Sequence, residues 1–307
     1  MTGSGDRERP MVARAEFRSY YGRPILKSPT WKVPDVPGYL FLGGTAGASA
    51  SMAAVAELTG RRELAGAGRW VAAAGSMAGV AALVHDLGRP GRFTHMLRVF
   101  KPTSPLSVGS WILAPFSTLA TASAVSQATG RLPGLGRLAG FGSGVLGPAM
   151  CTYTAVLLSD TAVPAWHEAY PHLPYLFAGS ALTSAAGAAL LCAPGADHGP
   201  PARMGLLGAG MELAATRRVE RRLGLVGEPY VTGRPGRLLT LSKALTVAGA
   251  GLSLLTGRRA AGLLAGGAYL AAGLCTRFGV FAAGMASAQD PAYVVTPQRR
   301  RLGPDAP

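Results

Sequence analysis

The sequence is poor in charge and poorer still in side chains that carry redox chemistry. Charged residues fill 15% of its 307 positions, against about 25% in an ordinary soluble protein. So few charges cannot cover a globular surface, and with 49% hydrophobic residues and a mean hydropathy of +0.25 water cannot be the chain's only solvent. Cysteine occurs three times, as Cys151, Cys192 and Cys275, each in an apolar stretch and more than 40 residues from the next. With no CxxC pair, neither an iron–sulfur cluster nor a zinc site is expected in this chain, and the cysteines read as small core residues. Of the five histidines, His95, His167 and His198 read as loop, His85 ends an apolar run and His172 begins one. A membrane haem held by two histidines deep in facing helices is therefore not expected. The 43 glycines and 23 prolines fall inside Ala/Leu/Val runs without a collagen period, which excludes collagen and disorder.

Acidic residues are also scarce: 15 Asp and Glu face 30 Lys and Arg, for a net charge of +15 and a pI near 10.6. A nucleic-acid binder carries its basic residues on a folded surface or arm, interleaved with aromatics. Here they sit between apolar runs, as basic loops flank membrane helices. Lipid, and no nucleic acid, is the expected surrounding.

A bilayer core takes about 20 apolar helical residues. Seven runs fit clearly, near Pro37–Ala56, Gly68–His85, Pro105–Gln127, Leu138–Ser159, Leu173–Ala193, Leu238–Leu255 and Ala260–Phe281. An eighth, near Ala202–Ala215, is short, carries Glu212 and runs into the charged stretch Arg217–Arg222. The expectation is an all-α integral membrane protein, an eight-helix bundle of seven clear spans and one weak one. A basic extramembrane segment (1–36) would precede the helical domain (37–288), and a tail (289–307) would follow. Residues 1–36 lack the apolar core of a cleavable signal peptide, so the first span is expected to direct insertion. With eight spans, 20 Lys and Arg fall on the side of the termini and 8 on the other, which places both termini in the cytoplasm of a cell-membrane protein. Small residues such as Gly43, Gly44, Gly47, Gly205, Gly208, Gly210, Gly262, Gly266, Gly267 and Gly273 line the spans and read as helix-packing positions. No internal repeat is visible.

Several segments are too polar or too patterned for passive anchoring. They are Tyr20-Tyr21-Gly22-Arg23-Pro24 with Trp31 and Tyr39, then His85-Asp86-Leu87-Gly88-Arg89-Pro90-Gly91-Arg92-Phe93, then Ser104-Pro105-Leu106-Ser107-Val108-Gly109-Ser110-Trp111. Further on come Tyr153-Thr154, Asp160 to His167, Arg277-Phe278 and Ser287 to Pro291. With eight spans all of these lie toward one membrane face. Together they resemble the NrfD/polysulfide-reductase family of integral membrane subunits, over about residues 18–300. The resemblance implies a haem-free subunit that exchanges electrons between a membrane quinone, usually menaquinone, and an iron–sulfur, ferredoxin-like partner. That partner serves a catalytic subunit, often a molybdopterin enzyme.

Quinone chemistry needs an amphipathic slot, donors for two carbonyl oxygens and a proton route. Tyr153 resembles the family's Tyr-Thr position and is the first candidate donor, with an interfacial or core tyrosine as the alternative. His85 can exchange a proton near neutral pH and Asp86 can relay it or orient Arg89; equally, Asp86 with Arg89 or Arg92 reads as a helix-capping ion pair. Trp111 and Trp166 read as walls for a quinone ring or as belt tryptophans. Arg92, Arg98 and Lys101, with Arg89, form a basic patch suited to an acidic iron–sulfur protein, or to snorkelling. Ionisable residues in spans are costly and hence functional candidates: Asp160 at the end of span four, Glu212 in span six and Arg277 in span eight are proton-transfer candidates with Asp86, and Glu57 is the weaker one. Glu212 and Arg277 are a candidate buried pair. The competing readings are a polytopic transporter or channel, which would have broken helices in matching halves, and a structural anchor for a peripheral enzyme.

Overall fold

The computed structural model describes residues 25–89, 91–193, 197–255 and 258–302. Most of the basic N-terminal segment, including Tyr20 to Pro24, lies outside the described residues, as does Pro90. Among the described residues all regular structure is helical. Eight helices have 20 residues or more: α1 (Asp35–Leu58), α2 (Arg62–Asp86), α4 (Pro105–Thr129), α5 (Pro133–Ser159), α7 (Leu173–Cys192), α8 (Gly199–Arg222), α10 (Gly233–Ser253) and α11 (Arg259–Gln289). Short helices α3 (Gly91–Met96), α6 (Pro164–Glu168), α9 (Glu228–Val231) and α12 (Ala292–Leu302) fill the connections and tail. Proline stands in the first turn of α4, α5, α7 and α8, where the missing N–H has no helical partner to lose.

Every expected span falls within or along one of these helices. Six, α1, α2, α4, α5, α7 and α11, are long and apolar enough to cross a membrane. The other two are more polar: α8 carries Arg203, Glu212 and the Arg217–Arg222 run, and α10 begins with Arg234 and Arg237 and holds Lys243.

The packing divides the bundle in two. Helix α1 packs on α2, α2 on α4, α4 on α5 and α5 back on α1, closing a four-helix ring. Helices α7, α8, α10 and α11 close a second ring in the same order, and the rings meet where α1 and α5 touch α7 and α1 touches α11. The correspondence is topological, which is why no repeat shows in the residues. Lipid gives no hydrophobic drive for helix association, so close backbone approach supplies it. A Cβ on Gly47 of α1 would sit 2.7 Å from the Gly147 carbonyl of α5, and one on Gly266 of α11 would sit 2.8 Å from the Gly187 carbonyl of α7.

The start of α1, the end of α2, α3, the start of α4, the end of α5, α6, the start of α7, the ends of α8 and α11, and α12 gather at one end of the bundle. Trp31, just before α1, stacks on Trp166 of α6 at 5.6 Å. The Trp166 indole donates to the Val280 carbonyl of α11 at 2.8 Å, and the Tyr230 hydroxyl of α9 donates to the Ala165 carbonyl at 3.0 Å. Burial raises the Tyr230 pKa, keeping this phenol a donor. The polar segments that lie within the described residues thus share one face.

Candidate functional site

Tyr153 lies under that face, six residues before the end of α5, and is buried. Gly109 of α4 makes room for it: a Cβ there would come 2.6 Å from Tyr153 Cε2. The phenol oxygen is buried and has no hydrogen-bond partner among the described residues. One turn before Gly109, the first residues of α4 form one wall of a groove of about 260 Å³. His95, Met96 and Val99 face Lys101, Leu106 and Ser107 across it. The groove is fastened at its base, where Ser110 Oγ donates to the Met96 carbonyl at 3.2 Å. His95 and Met96 were not expected at a site; the only signal was their place between two arginines in a segment too polar to span.

His85 and Asp86 work together, but not as an ion pair with the arginines that follow. His85 Nδ1 lies 2.7 Å from Asp35 Oδ2 at the start of α1, and Asp86 Oδ1 accepts the Lys32 backbone N–H at 2.9 Å. The pair ties the chain entering α1 to the end of α2, and Asp35 is a partner that sequence reasoning missed. The His85 side chain is 76% exposed. No hydrogen bond among the described residues joins this cluster to Tyr153. Arg89, Arg92, Arg98 and Lys101 are all exposed, as the docking reading requires.

The two tryptophan candidates separate. Trp111 is 43% exposed, edge-on to Phe100 at 5.9 Å, and stands outside the bundle beside the α3–α4 groove. Trp166 is fully buried against Trp31 and Phe281 and is structural. Asp160 follows the last residue of α5 and is exposed. The pKa of His172, in the turn before α7, is lowered by burial and then by Arg222 and Arg218.

Glu212 is buried at the centre of the second ring. Thr276 Oγ1 donates to its Oε1 at 2.6 Å and Thr183 Oγ1 to its Oε2 at 3.2 Å. Ser242 Oγ lies 2.6 Å from Thr276 Oγ1 and 3.0 Å from the Ala272 carbonyl. The expected ion pair with Arg277 does not form. Successive helical residues point about 100° apart, so Thr276 faces α8 while Arg277 turns toward α1, α5 and α7. There Arg277 Nη2 donates to the Phe177 carbonyl at 2.8 Å, and the guanidinium lies 3.7 Å from the Phe177 ring centre. Its Nε and Nη1 have no partner among the described residues. At the opposite end of the bundle Glu57 pairs with Arg69 at 3.0 Å.

The chain matches the family model described as polysulphide reductase, NrfD, over residues 26–199, more than half its length. It belongs to the NrfD family. The match runs from the segment before α1 to the start of α8 and takes in Tyr153, His85, Asp86, Arg89 and Trp111; the motifs around Arg277 and Ser287 lie beyond it. NrfD membership makes the chain a multi-pass, quinone-interacting membrane subunit of an oxidoreductase, one that works with other subunits. A search of curated proteins finds no significant match.

Proposed function

We propose that this NrfD subunit passes electrons between a membrane quinone, menaquinone in the first instance, and an iron–sulfur partner docked on the face above Tyr153. The observation that carries the reading is the Tyr153 hydroxyl, a buried donor with no partner among the described residues, held against Gly109 beside the α3–α4 groove. An unsatisfied buried donor is costly, and a quinone carbonyl would relieve that cost. The groove offers apolar walls from Met96, Val99 and Leu106 together with His95 and Lys101.

Each two-electron step exchanges two protons with the quinone. His85, Asp35 and Asp86 form a solvent-facing group on the same face that can take them up or release them. Glu212 is the second proton holder. When it is ionised, the chain Ser242 to Thr276 to Glu212 donates toward the carboxylate; when it is protonated, the same chain can reverse and end on the Ala272 carbonyl. Exposed Arg89, Arg92, Arg98 and Lys101 supply the field for an acidic partner, which in turn would serve a catalytic subunit of the molybdopterin kind. The excess of basic residues on this face supports its being cytoplasmic. All eight long helices then cross the bilayer, with Lys243 of α10 paired to Glu220 of α8 at 2.7 Å. A transporter reading needs matched broken helices; Pro115 and Pro148 both fall in the first ring, inside helices that continue past them.

The test is gentle solubilisation of the native complex with assay of iron and extractable quinone in what copurifies. Stoichiometric iron and bound menaquinone are expected, with Tyr153→Phe lowering quinone turnover about tenfold or more, the loss of one hydrogen bond in a dry site. A chain that purifies with neither iron nor quinone overturns the proposal.

A further inference from the structure

The seam between the two rings carries a groove that the quinone reading does not use. It opens at the end of the bundle opposite Tyr153, between α1 and α8, two helices that make almost no direct contact with each other. Its volume is about 260 Å³, and Met52, Val55, Leu64, Leu182 and Met204 give it apolar walls. Met204 of α8 packs toward the clusters around Met52 and Ala48 of α1, so a flexible, adaptable side chain spans the gap here.

The groove has the depth of one leaflet. It follows α1 from Thr59, just past the helix end, to Ala48, near the helix midpoint. At 1.5 Å of rise per residue that stretch is about 16 Å long, and half of a hydrocarbon core of about 30 Å is about 15 Å. A slot lined by apolar groups stays dry, and left empty it forfeits the dispersion contacts of its walls. Val55 is 59% exposed in it, which leaves apolar surface for an apolar occupant to cover.

The rim is polar and carries positive charge. Arg61 Nη1 donates to Asp197 Oδ1 at 3.0 Å, and the arginine side chain remains 40% exposed. Arg203, also exposed, directly precedes Met204 on α8. Asp197 balances one of these two arginines, and among the described residues no carboxylate lines the groove itself. One positive charge is thus left over at the level of the lipid head groups.

We propose that this groove holds an anionic phospholipid, with one acyl chain in the slot between α1 and α8 and the phosphate at Arg61 and Arg203. A basic rim beside an intramembrane slot is an arrangement that recognises lipid head groups, and a phosphodiester with a single negative charge matches the charge left over. The bound chain fills the space that α1 and α8 leave open, so lipid as well as α7 joins the first ring to the second. The site needs only the membrane setting and is independent of the quinone reading.

Washed in mild detergent, the intact complex should retain one phospholipid per chain by phosphorus assay. Phosphatidylglycerol with a photoreactive acyl chain should label peptides of α1 and α8, and unlabelled phosphatidylglycerol should compete several-fold better than phosphatidylcholine, whose choline offsets the phosphate. Arg61→Gln with Arg203→Gln should weaken that competition about tenfold, the loss of one charge-assisted hydrogen bond. Asp197→Asn breaks the same ion pair but keeps both arginines, and should bind phosphatidylglycerol at least as tightly as wild type. Met204→Trp, which fills the slot, should abolish the label. Labelling that misses α1 and α8, equal competition by the two lipids, or unchanged selectivity in the arginine variant overturns the site. Glycerol phosphate competing as well as the lipid would reduce it to an anion site, and menaquinone displacing the label while phosphatidylglycerol does not would make the occupant an isoprenoid tail; either result overturns the phospholipid assignment.

Discussion

Thr276 of α11 lies 2.6 Å from Glu212 of α8 and equally close to Ser242 of α10, so one threonine side chain joins three helices of the second ring. The carboxylate is also the nearest acidic complement to Arg277, which it does not touch. Glu212→Leu should therefore do more than remove two hydrogen bonds. It takes the acceptor from Thr183 and Thr276, whose hydroxyls fall back on the Ser180 and Ala272 carbonyls at 3.0 and 3.1 Å, and it leaves Arg277 with no balancing charge nearby. Thermal unfolding of the solubilised protein should show this loss. Glu212→Gln should show much less, and adding Arg277→Gln to Glu212→Leu should cost less than the sum of the single changes. Strict additivity would mean that the two groups do not sense each other.

Gly109 offers a cleaner probe of the Tyr153 site than the tyrosine itself. A methyl group there would meet the ring at 2.6 Å, so Gly109→Ala must shift the phenol while leaving every donor in place. It should lower quinone turnover about as much as Tyr153→Phe, with the partner still bound and the melting temperature little changed. Turnover at the wild-type level would show that the position of the Tyr153 hydroxyl is irrelevant to the chemistry.

His172 sets a pH dependence. Burial, Arg222 and Arg218 hold its pKa below the ordinary histidine value of 6.5, so the folded protein prefers the neutral ring more strongly than the unfolded chain does. As pH falls, the unfolded chain takes up the proton first. The stabilising contribution is whole above pH 6.5 and is lost as pH drops through the folded value. Melting temperatures in detergent between about pH 5 and about pH 7, the range of histidine titration, should fall less steeply on acidification for His172→Gln than for wild type. Arg222→Gln should move the effect to higher pH.

The helices were legible because span length and apolar runs are set by the bilayer, and Ala202–Ala215 lies inside α8 despite its charge. What could not be read was which residues meet across helices. Glu212 and Arg277 were each visible as costly, yet their helical phase sends them to different neighbours. Asp35 carries no signal in the sequence that it will hold His85, 50 residues away. Trp166 and Trp111 look alike in sequence, but α6 folds the first under the bundle and α4 turns the second outward.

The docking face is open to a direct test because its two basic runs can be separated. Arg89, Arg92, Arg98 and Lys101 surround α3 in the first ring, whereas Arg217, Arg218, Arg221 and Arg222 end α8 in the second, and all eight side chains are exposed. The groove beside Tyr153 belongs to the first run, so a partner that must bring its cluster near the quinone should sit there. Arg92→Glu with Arg98→Glu is expected to release the iron–sulfur partner, and wild-type retention should weaken as salt is raised, since exposed charges are screened beyond about 10 Å at 0.1 M. Exposed substitutions of this kind shift stability by only about 0.5 kcal/mol, so the melting temperature serves as the control. Arg217→Glu with Arg221→Glu should leave the partner bound. If instead the α8 pair releases it and the α3 pair does not, the electron partner sits over the second ring, and the path from its cluster to Tyr153 must cross the seam between α1 and α7.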